Sequence, residues 1–150
     1  MKAILLAALA GLCWGVGELF TKSVLHTKQV GPFTAIAVRS TVALPFIWAA
    51  YAIAVHRLGN EPARWWRTAE PVTLLKLALG SGLVAGAAAM IFFYAALSLG
   101  EISRIKPIAF ALAPATAVLL GWLVLSEPMT LKKTLGVALI LAGVVVLTGR

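Results

Sequence analysis

The sequence is poor in charged residues. Charged side chains make up 12% of the 150 residues, whereas soluble domains contain about a quarter. Hydrophobic side chains make up 61%, and the mean hydropathy is +0.98. This composition excludes a water-soluble globular domain. It indicates one integral membrane unit, because five helices of about 20 residues each would use roughly 100 residues and leave only short loops.

Aspartate is absent and cysteine occurs once. The five acidic residues are all glutamates, so a Ser-His-Asp triad and metal sites built on aspartate are excluded. Cys13 lies alone inside an apolar run, which leaves no intramolecular disulfide and no cysteine-rich metal site. His26 and His56 stand singly at helix ends, without neighbours at metal-ligand spacing. The sequence therefore predicts no metal, no cofactor and no enzymatic activity.

The positive charge lies mostly between the apolar runs. Thirteen Lys and Arg against five Glu give a net charge of +8. In a soluble protein this excess would suggest nucleic acid as a partner. Basic residues that flank apolar runs instead anchor helix ends to lipid headgroups. We therefore expect the lipid bilayer as the partner of these residues, and no nucleic acid.

Apolar segments long enough to cross a bilayer recur along the chain. The alternating pattern of barrel strands is absent, and helices satisfy their backbone polar groups within each segment. The chain begins like a signal peptide, but the apolar run continues to about Leu25, which predicts a retained first helix. The fold class is an all-α membrane protein, a bundle of five transmembrane helices in a single domain over residues 1–150. The helices are predicted at about residues 3–26, 31–56, 72–99, 105–126 and 131–147.

The longest connection, residues 57–71, is predicted to form a short interfacial helix. Asn60 is a candidate N-cap, with Pro62 in the first turn. Trp65 and Trp66 beside basic residues are typical of the aromatic belt at the headgroups.

The basic residues barely favour one orientation. With the N-terminus in the cytoplasm, seven lie inside and six outside, and the positive-inside rule acts only through that difference. Two hypotheses stay open. Copies inserted in opposite directions form an inverted pair like the inverted repeats of transporters, or the loop arginines dominate and every copy has its N-terminus inside. The inside set is Lys2, Arg57, Arg64, Arg67, Lys76, Lys132 and Lys133, and the outside set is Lys22, Lys28, Arg39, Arg104, Lys106 and Arg150.

One stripe of the first helix carries the residues best suited to function. At 100° per residue, Gly11, Trp14, Gly15, Glu18 and Lys22 share a narrow face. The two glycines have GxxxG spacing and allow another backbone to approach closely. This face is expected to pack against protein rather than lipid.

Glu18 is the candidate carboxylate for binding a proton or a cationic substrate. A charge at a helix centre costs roughly 2.5 to 3.5 kcal/mol on insertion scales, so Glu18 needs a partner or a function. A hairpin centred between Lys28 and Gln29 brings Arg39 to the same depth, which predicts an ion pair. In the alternative, Lys22 neutralises Glu18 and the pair serves only helix association. Arg39 either binds an anionic substrate group or extends toward the interface.

The other spanning segments contain internal prolines, many small residues and one further candidate site residue. Pro45 and Pro114 lie within the second and fourth helices and are expected to kink them. The glycine-rich third helix is expected to pack closely, and the last helix is expected to serve packing or dimerisation. Tyr94 is a candidate donor to a substrate, or else an ordinary core or interfacial tyrosine.

Motifs in all five helices agree with one known family. They are the Trp14-Gly15 pair, Arg39, Tyr94-Ala-Ala-Leu97, Pro107 with Pro114, and the closing stretch from Leu120 through Glu127 and Thr130 to Gly143. Together these motifs resemble the EamA-type domain of the drug/metabolite transporter superfamily. Most members of that family carry two such domains in inverted orientation, so the chain is expected to be one half of an inverted-repeat transporter.

The resemblance implies secondary transport of small metabolites or drug-like compounds across the cytoplasmic membrane. It implies a dimer, either an antiparallel homodimer as in small multidrug members or a heterodimer with a second five-helix chain. The alternative is a non-transporting accessory membrane subunit. The first-helix glutamate of small multidrug members matches Trp14 here, with Glu18 one turn further on. Trp14, Glu18, Arg39 and Tyr94 are expected to line the cavity.

The connection before the last helix is expected to be structural. Glu127 matches the loop glutamate of the EamA family and is interpreted as a cap at the interface. Thr130, directly before the last apolar segment, is the predicted N-cap of that helix.

Overall fold

The computed structural model describes residues 1–149, and Arg150, counted above among the basic residues, lies outside them. Across the described residues, regular structure is helical and no strand occurs. Within residues 1–149, five helices are long and apolar enough to span a membrane. The predicted all-α class with five spanning helices is therefore confirmed.

The spanning helices follow the predicted order, with one short helix between the second and the third. The helices are α1 (Lys2–His26), α2 (Pro32–Leu58), α3 (Trp65–Thr68), α4 (Pro71–Leu99), α5 (Ile102–Leu125) and α6 (Leu131–Thr148).

Two of the spanning helices contain π-helical stretches. In α2 the last stretch, Ile53–Leu58, is π-helical, and in α4 the stretch Lys76–Ala88 is π-helical. The i→i+5 pattern is rare and widens the helix. The stretch in α4 holds three glycines, which favour the α conformation weakly because they lack a side chain.

A short helix lies in the predicted connection, but its predicted cap was wrong, and its place at the interface stays a prediction. α3 begins at Trp65 with Arg64 in the cap position. The backbone N–H of Asn60 instead donates to the carbonyl of Ala54 at 3.0 Å. Gly59 has a left-handed φ of 62° and turns the chain there. Asn60 therefore belongs to the end of α2, and it lies too far before Trp65 to be the N-cap of α3.

The chain separates into two compact units, residues 1–98 and residues from Leu99 onward. The single-domain organisation stays a prediction. In the first unit, most large hydrophobic side chains are exposed, as expected where the surroundings are lipid. Its buried residues are Glu18, Val55, Tyr94 and Leu97. The enclosed part of this unit is therefore partly polar.

In the second unit, α5 and α6 pack against each other. Glu127 folds back so that a Cβ at the buried Gly121 would lie 3.2 Å from its carboxylate. Thr130 accepts a hydrogen bond from the backbone N–H of Lys133 at 3.3 Å, which confirms the predicted N-cap. The Lys133 ammonium also lies 3.4 Å from the Glu127 carboxylate. These contacts fix the turn between the two helices.

Candidate functional site

The most enclosed side chains of the first unit include a carboxyl group and a phenol. Glu18 is 3% exposed and Tyr94 is fully buried. Ionisable groups at membrane depth are costly, and they mark functional sites when the fold retains them. We use the name Tyr94 cluster for Glu18, Thr21, Lys22, Arg39 and Tyr94.

Tyr94 connects three helices through its hydroxyl. Arg39 Nη1 on α2 donates to Tyr94 Oη at 2.6 Å. Thr21 Oγ1 on α1 lies 3.4 Å from the same oxygen. The guanidinium carbon of Arg39 lies 5.7 Å from the centre of the Tyr94 ring, within range of a cation–π contact. Arg39 therefore contacts both the hydroxyl group and the ring face of Tyr94.

Lys22 stabilises the end of α4. Its ammonium donates to the carbonyl oxygen of Leu97 at 2.8 Å. Leu97 lies in the last turn of α4, where carbonyls have no partner within the helix and the helix dipole favours a cation. The contact joins the carboxyl-terminal ends of α1 and α4.

Glu18 and Arg39 lie inside the spanning segments and not at their ends. Glu18 lies eight residues before the end of α1 at His26, and Arg39 lies seven residues after Pro32. At 1.5 Å per residue, both depths are about 11 to 12 Å along the helix. Glu18 and Arg39 therefore lie at about the same distance from the loop between α1 and α2, as the predicted hairpin requires.

The structure brings some of the predicted site residues into contact. Arg39 and Tyr94 form a direct pair, whereas their binding of a solute stays a prediction. The hydrogen bond of the Arg39 guanidinium goes to Tyr94, and its pairing with Glu18 stays a prediction. Trp14 lies one turn before Glu18 and is half exposed.

The two candidate kink residues are both inside helices. Pro45 lies within α2 and Pro114 within α5. Each removes one backbone donor from its helix. They belong to different units, and a functional bend at either position stays a prediction.

Sequence reasoning missed two features of the cluster. Thr21 was not singled out, although it follows Glu18 by three residues and so shares its helix face. The contact from Lys22 to the Leu97 carbonyl carries no sequence signal, because any residue type supplies the acceptor. Only the packing of α1 on α4 reveals it.

A cationic cleft of about 520 Å³ lies beside the cluster. Its lining includes Lys22, His26, Lys28 and Ser98. Lysine and arginine donors suit a carboxylate or phosphate group, whereas Glu18 suits a proton or a cation. Within residues 1–149, no group of three or more His, Cys, Asp or Glu side chains is arranged to hold a metal ion.

Among the described residues, five helices can span a membrane, and a partly buried polar cluster lies within three of them. These features define a multi-pass membrane protein. The chain belongs to the EamA-like transporter family, whose model matches residues 1–149. The comparisons with curated proteins and with solved structures gave no match. Family membership makes the protein a membrane transporter of the drug/metabolite transporter superfamily, as the motifs predicted. Members of this family are in general not enzymes.

Proposed function

We propose that the protein is a secondary transporter of small metabolites or drug-like compounds across the cytoplasmic membrane. The observation that carries this proposal is the hydrogen bond of 2.6 Å between Arg39 and the fully buried Tyr94. A charged donor oriented within a spanning region is suited to bind a polar solute group there.

Arg39 is the proposed contact to the solute. A guanidinium has five N–H donors, and Tyr94 Oη accepts from one nitrogen. The remaining donors suit a carboxylate or another planar acceptor. Tyr94 fixes the side chain, so that little conformational entropy is lost when a solute binds.

Glu18 is the proposed proton carrier. A buried carboxylate can hold a proton in one state of the transport cycle and release it in another. The alternative is that it binds a cationic group of the solute. The two roles differ in their response to a pH gradient, because only a proton carrier couples uptake to that gradient.

The working unit is proposed to be a dimer, with two five-helix sets in opposite orientations. The near balance of basic residues on the two sides allows both insertions. A Cβ at Gly136 or Gly143 of α6 would meet open space among the described residues. Such open glycine positions allow another helix to approach closely. A heterodimer with a second five-helix chain, or an accessory role beside another protein, would use the same face.

Transport is tested with purified protein in liposomes. The probes are labelled amino acids and the fluorescent cation ethidium, each with and without an imposed pH gradient. Uptake above that of protein-free liposomes is expected for at least one probe. No uptake of any probe, together with cross-linking to a dissimilar membrane protein in cells, would favour the accessory role.

Orientation is tested with paired carboxyl-terminal reporters, one active only in the cytoplasm and one only outside. Activity of both reporters is expected for the antiparallel homodimer. Activity of one reporter alone would contradict the antiparallel homodimer and favour a partner chain of opposite orientation or a parallel assembly.

A further inference from the structure

A second cavity of the first unit lies between α2, α3 and the first half of α4. Its volume is about 840 Å³, within the range of roughly 300 to 1,000 Å³ found for specific ligand sites. Trp48, Tyr51, Trp65, Leu77 and Gly82 are among its lining residues. We use the name Tyr51 cleft for this mostly apolar cavity.

Aromatic side chains build the wall of the Tyr51 cleft. The indole N–H of Trp65 donates to Tyr51 Oη at 3.1 Å. The rings of Trp48 and Tyr51 meet edge to face, with their centres 5.4 Å apart. This arrangement holds the short helix α3 against α2. Tryptophan and tyrosine of this kind lie at the level of lipid headgroups.

The segment that supplies Trp65 to the cleft carries an excess of positive charge. The segment from residue 57 to residue 76 carries four exposed basic residues and two glutamates, of which Glu61 lines the cleft. The net charge of the segment is therefore +2. The basic residues are Arg57, Arg64, Arg67 and Lys76, and the second glutamate is Glu70.

An apolar cavity beside a cationic surface fits a ligand that is apolar at one end and anionic at the other. The spanning residues Ile47, Trp48 and Leu77 line the cleft and are exposed. A hydrocarbon chain can therefore enter from the bilayer. Basic surfaces between spanning helices are suited to anionic lipid headgroups.

We propose that the Tyr51 cleft binds an acyl chain of an anionic phospholipid whose phosphate is held by Arg64 and Arg67. The two arginines flank Trp65, which itself lines the cleft. This site is separate from the Tyr94 cluster and does not depend on the proposed transport activity.

The proposal is tested by quenching of tryptophan fluorescence in vesicles. Trp65 is kept and the other four tryptophans are replaced by Phe. The vesicles contain phosphatidylglycerol or phosphatidylcholine, brominated on the acyl chain near the headgroup. Phosphatidylglycerol is expected to quench Trp65 at a lower mole fraction than phosphatidylcholine.

Two matched double variants separate a specific site from general surface charge. Arg64→Gln with Arg67→Gln removes two charges beside the cleft, and Lys132→Gln with Lys133→Gln removes two charges at the start of α6. A basic residue near an anionic membrane surface is worth about 1 kcal/mol, so the arginine pair is expected to lower the preference for phosphatidylglycerol roughly 30-fold. The lysine pair is expected to leave it unchanged. Equal quenching by both lipids, or equal loss in both double variants, would overturn the proposal.

The apolar part of the site is tested separately. Gly82→Leu fills the cleft, and its Cβ would make ordinary contact with the Leu77 carbonyl at 3.5 Å. Quenching of Trp65 by phosphatidylglycerol is expected to fall. Unchanged quenching would show that the acyl chain binds elsewhere.

A measurement on the unaltered sequence avoids any folding defect of the tryptophan variants. The Tm of the protein in detergent is recorded as each lipid is added. A rise with phosphatidylglycerol that phosphatidylcholine does not produce is expected, because a ligand that binds the folded state raises its stability. An equal response to both lipids would contradict an anionic site.

Discussion

The two tyrosines of the chain make similar hydrogen bonds in different surroundings. Tyr94 accepts from the charged Arg39 at 2.6 Å and is fully buried. Tyr51 accepts from the neutral indole of Trp65 at 3.1 Å and is only partly buried. Arg39 and Tyr51 lie on the same helix, twelve residues apart, which is about 18 Å along its axis. One helix therefore carries a polar enclosed site near its start and an apolar open one near its end.

The difference shows how burial should be interpreted in a membrane protein. Lipid is as apolar as leucine, so exposure of apolar side chains carries no penalty there. A polar group in the same surroundings needs protein partners. The Tyr94 cluster, in which Glu18 and Tyr94 are buried, is therefore the better candidate for binding a polar solute, and the Tyr51 cleft is better suited to hydrocarbon.

The largest effect is expected from Arg39→Gln. The change removes the charged donor to Tyr94, and a hydrogen bond to a charged group is worth about 1.5 to 3 kcal/mol. If Arg39 binds the solute, uptake is expected to fall about 10- to 100-fold. Uptake by proteoliposomes measures this.

The control is Arg104→Gln. Arg104 is exposed and lies 3.8 Å from Glu101 in a pair at the surface. Substitutions at such positions change stability by about 0.5 kcal/mol or less, which corresponds to about twofold. Equal loss of uptake in both variants would remove Arg39 from the site.

A smaller and more selective effect is expected from Glu18→Gln. The amide keeps the shape of the carboxyl group but cannot release a proton. Uptake is expected to lose its response to an imposed pH gradient. Glu127→Gln, at the turn between α5 and α6, is expected to keep the response. A full response in Glu18→Gln would exclude Glu18 as the proton carrier.

The smallest effect is expected from Thr130→Ala, which tests the second unit. Loss of the side-chain cap of α6 costs about 1 kcal/mol. For a chain of this length the Tm is expected to fall by about 2 to 4 °C. Transport is expected to be retained. A Tm equal to that of the unchanged protein would contradict a stabilising cap.

Much of the fold was predictable because each spanning helix is a long apolar run. Thr130 was also predictable, because an N-cap is a local pattern. The start of α3 was not, since Asn60 has the right residue type for a cap but serves the end of α2. Residue type alone does not show that α3 begins only at Trp65, five residues further on.

The sequence named Glu18, Arg39 and Tyr94 as site residues, which stays a prediction, but it did not predict the contact between Arg39 and Tyr94. Charge and helix face identified Glu18 and Arg39, and a motif identified Tyr94. Charge complementarity favoured a Glu18–Arg39 pair, whereas the observed hydrogen bond joins Arg39 to Tyr94. That contact depends on how α4 packs beside α2, and a spacing along one helix does not carry this information.

The most direct test of the proposed transport site compares Tyr94→Phe with Tyr51→Phe in the same uptake assay. Each change removes one hydroxyl that accepts one N–H and keeps the aromatic ring. Tyr94→Phe is expected to lower uptake at least about tenfold, because the lost hydrogen bond to charged Arg39 is worth more than about 1.4 kcal/mol. Tyr51→Phe is expected to change uptake by less than about threefold, since a neutral hydrogen bond contributes about 0.5 kcal/mol at the lower end of its range. Full uptake by Tyr94→Phe would contradict the claim that the Tyr94 cluster is the transport site.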